Sequence, residues 1–386
     1  MAADFITEDQ APQIALLRHL LLATGQDPQI ALLADPATHG LSSGAEIRHI
    51  DTHASAVFIG PERVLKLKRA VKFSFMDYSD AGRRRAACEA EVRLNRRTAP
   101  DLYLGVAPIV PGPDGVRLGD IGETPTEAVD WVTVMRPFDE ATLFDRQAAE
   151  GRLGAPALIA LAREIARFHG EAERVSARDW AASAAAIARG NVQDMTGDPA
   201  IDQDGLARLS AATETALDAR GLDLAGRSGA LRRCHGDLHL RNICLVDGRP
   251  TLFDCIEFND DFAEIDPLYD LAFLLMDLDH HGLGPEAALV RDRYLEAVGS
   301  VAGHGLMPLY LSMRAAVRAK VGAAGAAVQE DDAEAGAMRA EAGRYLARAV
   351  AYLAPAPARL IAVGGFSGSG KSTLARLIAD AVPTAP

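Results

Sequence analysis

The segment His235-Gly236-Asp237-Leu238-His239-Leu240-Arg241-Asn242 constrains this chain more than any other stretch. It places a carboxylate, Asp237, directly after a glycine, where a short loop can present it to a ligand. A carboxamide, Asn242, follows in the same segment. Asp254 comes after the apolar run Thr251-Leu252-Phe253, which puts a second carboxylate at the end of a buried strand. Moving a phosphoryl group from a nucleotide needs a group that orients the attacking hydroxyl, oxygen ligands for metal ions on the phosphates, and cations for the developing charge. Asp237 suits the first task. Asn242 and Asp254 suit the second, because Mg²⁺ prefers hard oxygen donors. The spacing is H-x-D-x-x-x-x-N followed by a metal-binding aspartate. His235 and Asp237 alone could cap an unrelated turn. The eight-residue match, with Asp254 and the segment Asp266-Pro267-Leu268-Tyr269-Asp270-Leu271-Ala272 downstream in order, argues against that.

The pattern closely resembles the aminoglycoside phosphotransferase-like branch of the kinase-like enzymes, whose loop reads H-G-D-L-H-x-x-N and whose D-P-x-x-D-L-A segment matches residues 266–272. The resemblance covers about residues 47–350. It implies an α+β, bilobal protein-kinase-like fold with a strand-rich N-lobe and a helical C-lobe. It also implies that Asp270 buttresses the catalytic loop and that His169, at the end of a helix, packs near that loop without acting in catalysis. His235 and Asp237 are carried over as catalytic-loop residues. One departure stands out: Asp254 is followed by Cys255-Ile256-Glu257 instead of Phe-Gly. Glu257 is either a further carboxylate near the metal or a salt-bridge partner.

A kinase-like N-lobe supplies a strand lysine for the phosphates and a helix glutamate to hold it. Val64-Leu65-Lys66-Leu67-Lys68 fits the strand. Lys66 and Lys68 differ by two and share a face; Lys66 better matches the family's strand, and Lys68 is the alternative. Lysine occurs only at 66, 68, 72, 320 and 371 among 40 basic residues, which favours a specific task for those retained. On the basic stretch Ala81–Thr98, Glu91 is preferred over Glu89 because Leu94 anchors the same helix face. The arginines there (83, 84, 85, 93, 96 and 97) read as a solvated face. No G-x-G-x-x-G precedes Lys66, so Thr52, Ser55 and neighbouring amides are expected to cover the phosphates. Thr133-Val134-Met135-Arg136-Pro137 reads as the inter-lobe hinge, with Met135 at the adenine.

Four regions follow: an N-terminal helical extension (1–46), an N-lobe (47–140), a C-lobe (141–353), and a linker with the start of a P-loop unit (354–386). The C-lobe carries the clearest helix signal, since Leu158, Leu161, Ile165 and Phe168 recur on one face. After the Pro-Ala linker, Gly365-Phe366-Ser367-Gly368-Ser369-Gly370-Lys371-Ser372 satisfies G-x-x-x-x-G-K-[ST] between an expected strand, Leu360–Val363, and an expected helix, Thr373–Ala379. Gly365, Gly368, Gly370, Lys371, Ser372 and Thr373 are the expected phosphate-contacting residues. The sequence following this motif is too short to bury a core of its own, so the expectation is a P-loop NTPase opening that is cut short. Residues 52–53, 64–72, 76–79, 94–97, 99–105 and 253–258 also resemble bacterial bifunctional proteins that join an aminoglycoside phosphotransferase-like domain to a P-loop domain.

Composition bounds the remaining possibilities. The chain is 49% hydrophobic and 24% charged, as in ordinary globular proteins. A net charge of −13 and 5% aromatic residues disfavour nucleic acid as a partner. No run is long and apolar enough for a membrane span, and no basic, apolar leader opens the chain. Four cysteines without C-x-x-C spacing read as buried thiols of a cytoplasmic protein. The expectation is a Mg-ATP-dependent phosphotransferase acting on a hydroxyl of a small-molecule acceptor. The alternative is a nucleotide-binding regulatory module for a P-loop domain.

Overall fold

The structure, a computed structural model, describes residues 25–354 and 362–375, apart from residues 53, 74, 114, 176, 177 and 330. The expected helix over Pro12–Ala23 and the residue His53 lie outside the described residues.

Alternation of apolar and polar residues builds the first lobe. After helix α1 (Asp27–Ala34), strands β1 (Arg48–Asp51), β2 (Ser55–Ile59) and β3 (Val64–Lys68) form an antiparallel meander. A small hairpin, β4 (Lys72–Phe73) and β5 (Met76–Asp77), leads into helix α2 (Ala81–Asn95), whose first turn is capped by the Asp80 side chain accepting from the Arg83 amide. Strands β6 (Tyr103–Gly112), β7 (Gly115–Leu118) and β8 (Asp130–Met135) complete a six-stranded sheet of order β1-β2-β3-β8-β6-β7. In β3, Leu65 and Leu67 enter a core with Phe58, Ile109, Val132 and Val134, and Leu33 of α1 covers it. Period-two geometry turns Lys66 and Lys68 to the opposite face, toward α2.

The second lobe is helical: α3 (Phe144–Ala149), α4 (Ala155–Glu171), α5 (Trp180–Met195) and α6 (Gln203–Gly226) precede a short strand β9 (Arg232–Arg233). The expected stripe of α4 is fully inside, with Leu158, Leu161 and Ile165 at 0% exposure and Phe168 at 3%. Burying each contributes about 1.5–3 kcal/mol. Between the lobes, β10 (Ile243–Val246) and β11 (Arg249–Leu252) form a hairpin around Asp247 and Gly248, both at positive φ, as a two-residue turn matched to strand twist requires. Helix α7 (Asp260–Ala263), strand β12 (Glu264–Ile265) and helix α8 (Pro267–His280) follow; α8 is buried on nearly every side and is capped by Asp266. Helices α9 (Gly284–Val298), α10 (Met307–Val328) and α11 (Asp332–Tyr352) close the lobe. Alanines of α10 and α11, including Ala319, Ala323, Ala342 and Ala349, let those two helices pack closely.

The arginines of α2 are not one solvated face. Arg84 is 6% exposed and makes a bidentate pair with the buried Asp130 at 2.8 and 3.0 Å. Arg97, just past the helix, reaches the C-lobe, donating to the Arg233 carbonyl at 2.6 Å and lying over the Phe168 ring. Both tie α2 to its surroundings, and nothing local in the sequence distinguishes them from their exposed neighbours.

Candidate active site

The loop 235–242 is shaped from beneath. Asp270, in the first turn of α8, accepts from the amides of His235 (3.0 Å) and Gly236 (2.9 Å) and from His169 Nε2 (3.1 Å). His169 Nδ1 lies 2.9 Å from the Tyr294 hydroxyl, so both ring nitrogens are engaged in support. Gly236 sits at φ 85°, and a Cβ there would lie 2.9 Å from the Phe262 carbonyl; only glycine fits. Asp277 of α8 accepts from the Leu240 amide at 3.0 Å and fixes the far end of the loop.

On this support stands Asp237, 2% exposed and on the wall of the inter-lobe cleft. Its Oδ2 accepts from Asn242 Nδ2 at 2.9 Å, and its Oδ1 is buried with no hydrogen-bond partner among the described residues. Burial is the strongest influence on this carboxyl and favours the neutral acid, but His239 (Nε2 3.2 Å from Oδ2), His235 and Arg318 outweigh it and hold the pKa at about 2. The group is an anion at any working pH. Asn242 commits its amide nitrogen to Asp237, which leaves its carbonyl oxygen as the donor available to a cation.

His235 does not line the cleft. Its Nε2 donates to the Phe253 carbonyl at 2.9 Å, and burial lowers its pKa, keeping the ring neutral. It joins the loop to the strand end before Asp254.

Asp254 occupies a left-handed backbone conformation (φ 59°), which costs a non-glycine residue about 1–3 kcal/mol and persists only where neighbours over-determine it. Here they do. Its amide donates to the Tyr103 hydroxyl (3.1 Å), the Cys255 amide to Asn95 Oδ1 (2.9 Å), and the Ile256 amide to the His235 carbonyl (3.0 Å). Its Oδ1 lies 2.6 Å from Lys66 Nζ, which is also 2.6 Å from Glu91 Oε1. The Thr133 hydroxyl donates to Glu91 Oε2 at 2.8 Å. Burial opposes charge on all three side chains, yet their mutual attraction raises Lys66 and lowers Glu91 and Asp254. The structure therefore brings Lys66, Glu91 and Asp254 together. Glu89 is exposed and pairs with Arg85.

Lys68 takes a different place. It is 2% exposed, 3.0 Å from Glu91 Oε2, and paired with Glu257, which also accepts from the Tyr78 hydroxyl at 2.9 Å. Glu257 is thus a salt-bridge partner here. The sequence offered Lys68 only as the alternative to Lys66 and gave no sign of its link to Glu257 and Tyr78.

The cleft runs from these charges to an apolar end at Ile50, Val57, Met135, Phe138, Leu143 and Phe253, with the strand end at Met135 on its rim. Thr52 and Ser55 line it, but the Thr52 hydroxyl donates to the Ser55 carbonyl and the Ser55 amide donates back to that hydroxyl. Of the groups expected at the phosphates, the Thr52 hydroxyl and the Ser55 amide thus close the β1–β2 turn.

All four cysteines are buried and unpaired, and burial pushes Cys88, Cys244 and Cys255 up to about 12. The cluster of His169, Cys234 and Asp270 has ligand-like spacing, but its polar atoms are engaged within the protein, Cys234 with the Ile265 carbonyl. In the glycine-rich segment, Gly368 and Gly370 adopt positive φ, residues 371–375 are helical, and Lys371 Nζ donates to the Phe366 carbonyl at 3.0 Å. Residues 362–366 are irregular, so the expected strand is not seen there; Leu360, Ile361 and residues 376–379 lie outside the described residues.

A family model for phosphotransferase enzymes matches residues 54–314, which span both lobes and every cleft residue from Ser55 to Phe258. The chain belongs to the phosphotransferase enzyme family. The chain is 33% identical over 339 residues to uncharacterized proteins of Mycobacterium tuberculosis (strain H37Rv) and Mycobacterium bovis, covering 86% of this chain. It spans 65% of the length of those curated relatives. Among solved structures it is similar to a choline/ethanolamine kinase family protein from Mesorhizobium loti (15% identity, TM-score 0.48, covering 86% of this chain and 99% of that one). It is also similar to an aminoglycoside phosphotransferase, APH(4)-Ia, solved with AMP-PNP and hygromycin B (16% identity, TM-score 0.44, 79% and 94%). Among the described residues no helix is long and apolar enough to cross a membrane.

Proposed function

We propose that this phosphotransferase moves the γ-phosphoryl group of ATP to a hydroxyl of a small-molecule acceptor, with Asp237 orienting that hydroxyl. The observation that carries the reading is the unpartnered, ionised Oδ1 of Asp237 on the wall of a cleft that also holds Asn242, Asp254 and Lys66. A carboxylate held near pKa 2 is a weak base. It accepts a hydrogen bond from the attacking hydroxyl and takes the proton late, which suits a loose phosphoryl-transfer transition state. Lys66, steadied by Glu91, is placed to pair with phosphate oxygens. The apolar end of the cleft suits adenine, with the backbone after Met135 as its hydrogen-bonding edge.

The donor set fits Mg²⁺: one carboxylate and one carboxamide oxygen on adjoining segments, with room for phosphate oxygens and water. Asn242 and Asp254 would hold the ion, which neutralises phosphate charge when bound. Lys66, now shared between Glu91 and Asp254, would then be released toward the nucleotide. The buried, unpaired cysteines support a reducing, cytoplasmic setting. For residues 365–373 we propose a phosphate-binding loop of a second nucleotide unit, a reading supported by its glycine conformations and by Lys371 at the start of a helix.

Turnover of labelled ATP against a metabolite extract tests the main reading. Asp237→Asn and Asp254→Ala should each lower it by about 10³-fold or more while the fold is kept. Unchanged turnover in both would reject it, and nucleotide binding with no turnover in the wild type would favour the regulatory module instead.

A further inference from the structure

We infer that Lys68 and Glu257 act together as positioning residues for Asp254, locking the metal-ligand segment to the N-lobe where the sequence departs from Asp-Phe-Gly. The inference rests on the reading of Asp254 as a metal ligand. Charges alternate along a continuous chain of ion pairs: Asp254, Lys66, Glu91, Lys68 and Glu257, with the Tyr78 hydroxyl at the end. Lys66 and Lys68 stand two apart on β3, and each takes one oxygen of Glu91. Lys66 continues to Asp254 and Lys68 to Glu257, so one rigid strand grips the 254–257 segment at both ends. The added Lys68–Glu257 pair is neutral as a unit and leaves the net charge presented to the nucleotide unaltered.

Around this pair the packing is equally specific. Glu257 is 7% and Lys68 2% exposed at the side chain. The Gln26 side chain donates to the Lys68 carbonyl at 3.0 Å, and Arg84 donates to the Tyr78 carbonyl at 2.9 Å, so both N-lobe partners are themselves held. Beside Glu257, Phe258 contacts Phe75 of the β4–β5 turn, with ring centroids 5.9 Å apart, and Phe262 packs on both. Ion pair and aromatic cluster together join the two lobes. A segment so tied cannot swing its aspartate out of the cleft without breaking a buried pair. The pair thereby adds to the ties from Tyr103, Asn95 and Lys66 that hold Asp254 in its left-handed conformation.

The test uses Lys68→Met, Glu257→Gln, the double variant, and the conservative Lys68→Arg, in the full chain. ATP turnover is measured against Mg²⁺ concentration, and thermal melting is followed in parallel. A positioning role predicts that Lys68→Met and Glu257→Gln each raise the Mg²⁺ concentration for half-maximal rate, or lower kcat, by about 10–100-fold. The double variant should show a defect about as large as that of the worse single one, and Lys68→Arg should recover most of the loss. Should a single variant fail to fold, the double variant decides, because it removes both charges and leaves no unpaired ion. Wild-type Mg²⁺ dependence and kcat in the double variant would overturn the inference. So would a Mg²⁺ defect in Glu257→Gln that Lys68→Met does not share, which would make Glu257 a direct ligand. Asp254→Ala serves as the control: if it remains active, the reading of the site fails first, whereas inactive Asp254→Ala beside unaffected Lys68 and Glu257 variants sinks this inference alone.

Discussion

The two segments that bring carboxylates to the cleft are held by opposite lobes. The loop 235–242 is supported from its own lobe, through Asp270 and Asp277 of α8 and His169 of α4. The segment 254–257 is held mainly by the N-lobe, through Tyr103, Asn95, Lys66 and Lys68. The loop's geometry therefore depends on how the C-lobe folds, and the geometry of Asp254 depends on how the lobes sit against each other.

Breaking the loop's support should give the largest effect. Asp270→Ala strips acceptors from two amides and a histidine at once, all buried. It should cost about 3–5 kcal/mol, the range for removing one partner from a buried charged network, and abolish turnover; urea denaturation and ATP turnover check both. Acid should separate the segments next. Asp237 and Asp270 are both held at about 2, well below an unfolded carboxyl. Each stabilises the fold fully above about pH 4, by roughly 2–3 kcal/mol, and loses that contribution as pH falls through about 2. Urea midpoints between pH 6 and pH 2.5 should fall, and Asp237→Asn should fall less steeply than the wild type. The smallest effect should come from Tyr103→Phe, which removes one hydrogen bond to the Asp254 amide. About 1 kcal/mol of stability should accompany a several-fold rise in the Mg²⁺ requirement, with nucleotide affinity little changed in a titration without Mg²⁺. An unaltered Mg²⁺ requirement would mean that the other ties suffice.

Much of this was legible because it is local. The H-x-D-x-x-x-x-N spacing, the D-P-x-x-D-L-A segment, the period-two strand at 64–68 and the apolar stripe of α4 are all written within a few residues. Other features depend on contacts that no local pattern shows. Arg84 looks like its exposed neighbours until Asp130, far along the chain, is folded beneath it. Thr52 and Ser55 carry hydroxyls suited to phosphate, but the Thr52 hydroxyl is committed to the turn's own backbone, as threonine side chains in turns commonly are. His235 stands in the motif two residues before Asp237, yet its ring faces a carbonyl and not the cleft.

The sequence by itself determined the chemistry on offer and the order of the lobes, because residue type and short-range periodicity are properties of neighbours in the chain. The division of labour between Lys66 and Lys68 belonged to the tertiary structure alone. The two are equivalent on one strand face, and only the arrival of Glu91 from α2 and of Asp254 and Glu257 from beyond β11 made one lysine the partner of the proposed metal ligand and the other its anchor. Contacts between segments this distant depend on packing across two lobes, which no local pattern encodes.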